Sequence, residues 1–335
     1  MLQLPPEWHP QWGIMMAWPH RDTDWADMLP RAEPTFRHIC QEILAREHLL
    51  LLCRDASHEA HVRAQLREGD AALERLVTVR LDYNDTWTRD YGPITVLRDG
   101  HPVLLDFTFN GWGNKYDHGD DNTVTARLQW QAPVEEVPLV LEGGGLDTDG
   151  QGTLLVTERC LLNPNRNPEV DREELEARLK QLLGVQRIWW LRHGWLEGDD
   201  TDGHVDMLAR FCSPERLAYM RCEDPDDIHY PELRAMEAEL EALANAHDLD
   251  LIPLPLPPAV YSPQGHRLPG SYANFLILNE AVLLPVYDCD TDRIALERLE
   301  TAFPEREIVP IQCRSLVEQH GSLHCVTMQL PLGVR

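Results

Sequence analysis

Cys325 lies in His320-Gly-Ser-Leu-His-Cys-Val-Thr327, a Gly-Ser turn followed by a short apolar run, with His320 and His324 close to the thiol. A cysteine can pack as a small buried hydrophobe, or its thiolate can act as a nucleophile. Three upstream stretches favour the second reading. Asn84-Asp-Thr-Trp-Thr-Arg-Asp90 precedes Gly92-Pro93, and Glu142 precedes three glycines. Gly203-His-Val-Asp206 alternates at strand period, which places His204 and Asp206 on one face. Each has a structural alternative: Glu142 opening a flexible turn, His204 and Asp206 as an ordinary satisfied pair, Asp90 pairing with Arg89, Trp87 in the core. Together they supply a nucleophile, a titratable imidazole and three carboxylates, which suits covalent attack on a cationic substrate.

These stretches recur at one place in a repeated unit of two short strands, a helix and a third strand. Leu154 to Val156, Cys160 to Leu162, a helix from Asp171 to Leu183 and Arg187 to Leu191 form one copy. Phe275 to Leu278, Val282 to Leu284, Asp292 to Thr301 and Glu307 to Ile311 form another, aligning Leu161-Leu162 with Leu283-Leu284. Between them lie Met207 to Phe211, Leu217 to Met220, a helix from Tyr230 to Ala246 and Leu249 to Leu254. Looser copies run over Ile94 to Leu97, Val103 to Phe107, a helix from Asp120 to Leu128 and Val134 to Pro138. Another spans Ile14 to Trp18, a helix from Arg31 to Arg46 and His48 to Cys53, with an extra helix from His58 to Leu66 before Leu76 to Leu81. Such units cannot each bury an apolar face alone, and closing the last strands beside the first removes exposed edges. The expectation is one α/β domain over residues 1–335, a five-bladed α/β-propeller of ββαβ units, with a doubly wound sheet as the alternative. The loops after each third strand then converge on the axis.

Composition narrows the chemistry. A net charge of −26, from 56 Asp+Glu against 30 Lys+Arg, repels nucleic acid and anionic membrane and concentrates cations. The eight cysteines are dispersed and include no Cys-x-x-Cys pair, which argues against a zinc ribbon and fits a reducing compartment. No apolar run approaches membrane-spanning length and the N-terminus lacks a signal-peptide pattern, so the chain reads as cytoplasmic. There is no Gly-x-Ser-x-Gly elbow, no phosphate-binding Gly-rich loop with Lys and no His-Glu-x-x-His. Asp117-His-Gly-Asp-Asp121 could ligate a cation, but it lacks calcium-loop spacing and also reads as a solvated turn.

Taken in order, these motifs, with Phe109-Asn110, Trp112-Gly113 and Ser271-Tyr-Ala-Asn274, resemble the agmatine deiminases and the related bacterial-type peptidylarginine deiminases of the guanidine-modifying superfamily. The resemblance spans most of the chain and implies a pentein-type five-bladed propeller. It implies that Asp90 and Asp206 grip a guanidinium, His204 is the general acid/base, Glu142 the acid associated with it and Cys325 the nucleophile. Trp87 would pack against the substrate, and the turn carrying Trp112 could close the pocket. The implied reaction is hydrolysis of agmatine to N-carbamoylputrescine and ammonia, a step toward putrescine and the polyamines, through a thiouronium on Cys325 and without metal or organic cofactor. The implied partner is a small cationic guanidine; a homodimer is left open. Because the proposed side chains are mainly carboxylates, Cys325 should rest as a thiol and His204 should favour its protonated form.

The chain departs from the agmatine enzymes in being short and in carrying Gly-Ser-Leu before His324-Cys325 where a longer glycine-rich turn is usual. Peptidyl-arginine, free arginine or another alkylguanidine is therefore the alternative, and Arg89, Lys115 and Arg267 are the candidates to hold a substrate carboxylate. A non-catalytic acidic propeller that binds a cation or a protein is the second class.

Overall fold

Four times in the chain a strand turns back antiparallel onto the next, and a crossover then leads to a third, parallel strand; a fifth blade of the same order draws its antiparallel strand from the far end of the chain. The computed structural model describes residues 1–69 and 71–335. Its sheets are the five expected blades plus a two-stranded hairpin, Val260–Tyr261 with Arg267–Leu268. Asp147–Thr148, Thr153–Thr157 and Arg187–Leu191 make one blade; Ala209–Ser213, Arg216–Arg221 and Asp250–Pro255 the next. Leu276–Ile277, Ala281–Val286 and Glu307–Gln312 form the blade that follows. Ile94–Arg98, His101–Thr108 and Val134–Val140 form another, extended at its edge by Leu2–Gln3. The ring is closed by chain ends far apart in sequence. Met328–Pro331 pairs antiparallel with Gln11–Ala17, which continues in parallel to His48–Cys53 and Leu76–Arg80.

The middle strands are buried on both faces, so they read as unbroken apolar runs such as Leu49 to Cys53 and Ala281 to Leu284. The crossover helices show one apolar stripe. Leu175, Leu179 and Leu183 line the buried face of Arg172–Leu183, which Asp171 caps and Gly184 ends at φ 69°. Among the described residues, no helix is long and apolar enough to cross a membrane.

One expected strand is not a strand. Cys160 to Leu162 falls in the helical turn Glu158–Leu161, which Thr157 caps by accepting the Cys160 N–H at 3.3 Å. The strand pair of that blade is Asp147–Thr148 with Thr153–Thr157, so the structural counterpart of Leu283 is Leu155, not Leu161. The expected helix from Asp120 to Leu128 is instead two short turns, Asp121–Thr123 and Val124–Arg127.

Arg210 ties the blades together from within. Its guanidinium donates to Asp147 at 3.0 Å, to the Phe275 carbonyl at 3.0 Å and to Glu7 at 2.8 Å, and all of it is buried. Removing one partner of a buried ionic cluster strands the others without compensation. Arg210→Met is expected to lower unfolding free energy by about 3–5 kcal/mol in urea denaturation, far more than loss of an exposed pair would.

Candidate active site

A short turn leads into the inner strand of every blade, and each turn delivers polar side chains inward. Asp90 lies on the helical turn Thr88–Tyr91, and Glu142 immediately precedes the 3₁₀ turn Gly143–Gly145. His204 begins the 3₁₀ turn Val205–Met207, which carries Asp206, and Cys325 lies within His324–Val326. The fifth turn ends at Asn274, just before Leu276–Ile277. The strand period expected for His204 and Asp206 is not observed; that segment, like the run that carries His324 and Cys325, is a helical turn, and all four side chains are buried. Asn274 was noticed only as part of the family-like motif; its signal was its position, at the end of the loop that follows the third strand of its blade.

These groups meet around Gly144. A Cβ built there would lie 2.5 Å from His204 Nδ1, 2.9 Å from Asp90 Oδ1 and 3.1 Å from Asp206 Oδ2. Gly143 is also required, because a Cβ on it would come within 2.2 Å of the Arg89 carbonyl. The glycines after Glu142 thus serve close approach rather than flexibility. Asp90 is anchored on both oxygens, by the Trp112 indole N–H at 2.9 Å and the Gly144 N–H at 3.0 Å. His204 Nδ1 is 3.6 Å from Asp90 Oδ1. Asn274 Oδ1 accepts the His324 N–H at 2.9 Å and lies 3.5 Å from the Cys325 thiol. Asp206 Oδ2 is 4.0 Å from that thiol, while its Oδ1 is buried without a partner. Glu142 does not reach His204 through a hydrogen bond. Its carboxylate accepts from Arg166 Nε at 2.7 Å, a partner that sequence reasoning missed.

The electrostatics leave the centre short of positive charge. Burial, then Asp206 and Glu142, push the Asp90 carboxyl well above the usual carboxylate range. Burial raises the Cys325 thiol far above its ordinary value, and Asp206 and Asp90 raise it further. A unit charge at about 4 Å is worth on the order of 4 kcal/mol at an effective dielectric near 20, so a cation bound between these carboxylates reverses the balance. His204 departs from expectation. Burial pulls its pKa down to about 3 against the opposing pull of Asp206, and Arg166 helps, so the imidazole is neutral in the empty site. Thiol and imidazole are therefore both uncharged in the empty site, and a bound cation favours ionisation of the thiol. At pH 7, iodoacetamide is expected to alkylate Cys325 slowly and thiolate absorbance to be near zero, the absorbance rising when a guanidinium ligand binds. A fully ionised thiol in the empty site would refute this electrostatic account.

The fold and this constellation can be set beside known proteins. The profile of the Porphyromonas-type peptidyl-arginine deiminases matches residues 3–331. The chain belongs to that family. A Vibrio parahaemolyticus relative named "Putative agmatine deiminase" is 36% identical, the match covering 98% of this chain and 96% of the relative. The structure of a Porphyromonas gingivalis "Putative Arginine Deiminase" superposes with a TM-score of 0.94 at 46% identity, over 100% of both chains. A Cys-to-Ser variant of the C. jejuni agmatine deiminase, solved with substrate bound, superposes with a TM-score of 0.94 at 34% identity, over 100% of this chain and 98% of that one.

In this deiminase-family chain a cavity of about 190 Å³ opens over the thiol. Trp87, Asp90, Trp112 and Cys325 line it, together with Asp24, Asp85, Asp199 and Asp200. Trp87 packs so closely on the last turn that a Cβ at Gly321 would meet its ring at 2.2 Å. None of the three candidate cations lines the cavity, although the Lys115 ammonium donates to the carbonyl of Asp200 in its wall at 2.6 Å. Arg89 turns away to Gln329 and toward Glu7, in a separate cavity reached from the N-terminal segment, so it is not a substrate contact in this arrangement. Lys115 is paired with Asp202 at 2.8 Å, and Arg267 with Asp227 at 2.7 Å. The Asp117–Asp121 stretch is tied to the distant Asn84: Asp121 accepts the Asn84 N–H at 2.7 Å, and the Asn84 side chain accepts the Asp120 N–H at 2.7 Å.

Proposed function

We propose that this chain is a hydrolase that deiminates agmatine, a guanidinium with a second positive charge at its far end. The observation that carries the reading is the lining of the cavity over Cys325. It holds five aspartates (24, 85, 90, 199 and 200), and among its described residues there is no lysine or arginine. A free-arginine substrate would bring its carboxylate into that acidic wall unpaired, at a cost that an amine does not incur.

The geometry supports the following chemistry. Asp90 and Asp206 accept from the guanidinium N–H groups, with Asp206 Oδ1 as the free acceptor. The bound cation lowers the thiol pKa, and Cys325 Sγ bonds to the guanidinium carbon. His204 takes the proton that the thiol loses as this bond forms and passes it to the departing nitrogen, so that the C–N bond breaks and ammonia leaves. A thiouronium on Sγ remains. His204 then takes a proton from water as the oxygen bonds to carbon, and returns it to Sγ as the C–S bond breaks; the ureido product leaves after losing its own O–H proton to solvent, and the thiol is restored. The chain itself supplies every proton-transfer group in this sequence.

The names of the family and of the P. gingivalis relative favour arginine or peptidyl-arginine as the second reading. One assay separates them: ammonia release from agmatine, arginine and a peptide with C-terminal arginine at matched concentrations. Agmatine is expected to lead in kcat/KM by tenfold or more. A preference for either arginine substrate would overturn the agmatine assignment, and no release from any guanidine would overturn the enzyme reading.

A further inference from the structure

Behind Asp206, facing the cavity reached from the N-terminal segment rather than the one over the thiol, two buried ionisable residues have no part in the steps above. His324 Nδ1 lies 2.8 Å from Asp206 Oδ2, and its Nε2 lies 2.6 Å from Glu7 Oε2. The same Glu7 oxygen accepts from Arg210 at 2.8 Å, and its other oxygen accepts the Ile277 N–H at 2.7 Å. Contacts of this length need a proton in each, and a neutral imidazole carries only one N–H, so the three groups must share two protons.

Ownership of those protons follows from the neighbours. Burial opposes ionisation of Glu7, but Arg210 and then His324 outweigh it and hold the carboxyl well below its usual range. Asp206 is likewise held down by His324 against burial. Four charged groups face His324: Glu7, Asp206, Arg89 and Arg210. Burial, then Arg210 and Arg89, outweigh the two carboxylates and push the imidazole below its ordinary range, whereas the two short contacts on its opposite nitrogens require a proton in each. With both carboxyls ionised, the hydrogen-bond geometry assigns both protons to the ring.

We propose that Glu7 and His324 are positioning residues for the guanidinium site: a doubly protonated His324, clamped between Glu7 and Asp206, fixes one oxygen of Asp206 and leaves the other as the free acceptor for the cation. The role assigned to Asp206 rests on the functional reading above. The clamp does not, and it can be observed without substrate. Histidine would also do here what lysine could not, because its two opposed donors join two carboxylates in one plane.

The first test is ¹⁵N NMR of histidine-labelled wild-type protein at pH 7, with His324 assigned by comparison with His324→Gln. Both ring nitrogens are expected to be protonated; a neutral imidazole would overturn the proposal. The second is Glu7→Gln, whose amide can donate to Nε2, so the ring should lose a proton and Asp206 its facing positive charge. Ionisation of Asp206 then requires higher pH, and the acidic limb of the kcat/KM profile should move up by about one unit with the plateau kcat largely kept. A loss equal at every pH would mark Glu7 as a mere brace and overturn the positioning role. If no guanidine is turned over, the substrate reading fails, and the NMR result still decides the clamp.

Discussion

Cys325→Ser is expected to remove turnover, by a factor on the order of 10⁵, while a guanidinium ligand still binds with an affinity close to that of the unaltered chain. The substitution changes one atom in a buried turn whose backbone is held by Asn274, so neither fold nor cavity should shift. What changes is acidity. The site already works against the anion of a far more acidic group, because burial, Asp206 and Asp90 all raise the thiol pKa. A serine hydroxyl starts much higher, and one bound cation cannot bring it into range. The cation-binding carboxylates do not depend on sulfur. Calorimetry and ammonia release on the same preparation separate the two properties. Turnover within tenfold of wild type would remove Cys325 from the chemistry.

Gly144→Ala is expected to reduce kcat by on the order of 10²–10³ with the fold intact. Gly144 has no positive φ, so alanine can adopt its backbone. The added methyl has nowhere to go, however: it would sit 2.5, 2.9 and 3.1 Å from His204, Asp90 and Asp206. All three must move apart by several tenths of an ångström. Overpacking of this kind costs about 1–3 kcal/mol in stability, which a chain this size can absorb. The larger loss is in alignment, because the displaced groups are those proposed to meet one guanidinium. A circular dichroism melt beside the kinetic assay tests both halves. An alanine variant with near-normal kcat would mean that the convergence around Gly144 is unrelated to turnover.

Much of this architecture was legible because it is written in period and apolarity. The runs His48–Cys53 and Arg187–Leu191 are apolar enough to be recognised as strands, and they end where expected. The recurrence of polar loops after third strands was visible too, and it is what brings Asp90, Glu142, His204 and Cys325 into one turn layer. Short helical turns were not legible. Glu158–Leu161 is one turn set by a side-chain cap and by which strand Leu155 pairs with, and apolar content does not record either. The supporting charges were equally hidden. Glu7, Arg166 and Arg210 sit in unremarkable local sequence, and their partners lie 317, 24 and 63 positions away at His324, Glu142 and Asp147. Arg89 shows the converse. It stands next to Asp90 in sequence, yet its side chain points into a different cavity.

The pairing of Met328–Pro331 with Gln11–Ala17 also governs when this protein can become reactive. The thiol is only three positions from that closing strand, whereas most of the carboxylates around it come from turns made much earlier. A nascent chain can therefore assemble most of its acidic cage before the sulfur exists, and it cannot seat the sulfur until its last strand docks on nearly its first. Such long-range closure tends to be slow. Competence should thus arrive late and all at once, so that partly made or partly folded copies present acidic side chains to the cell but no working nucleophile.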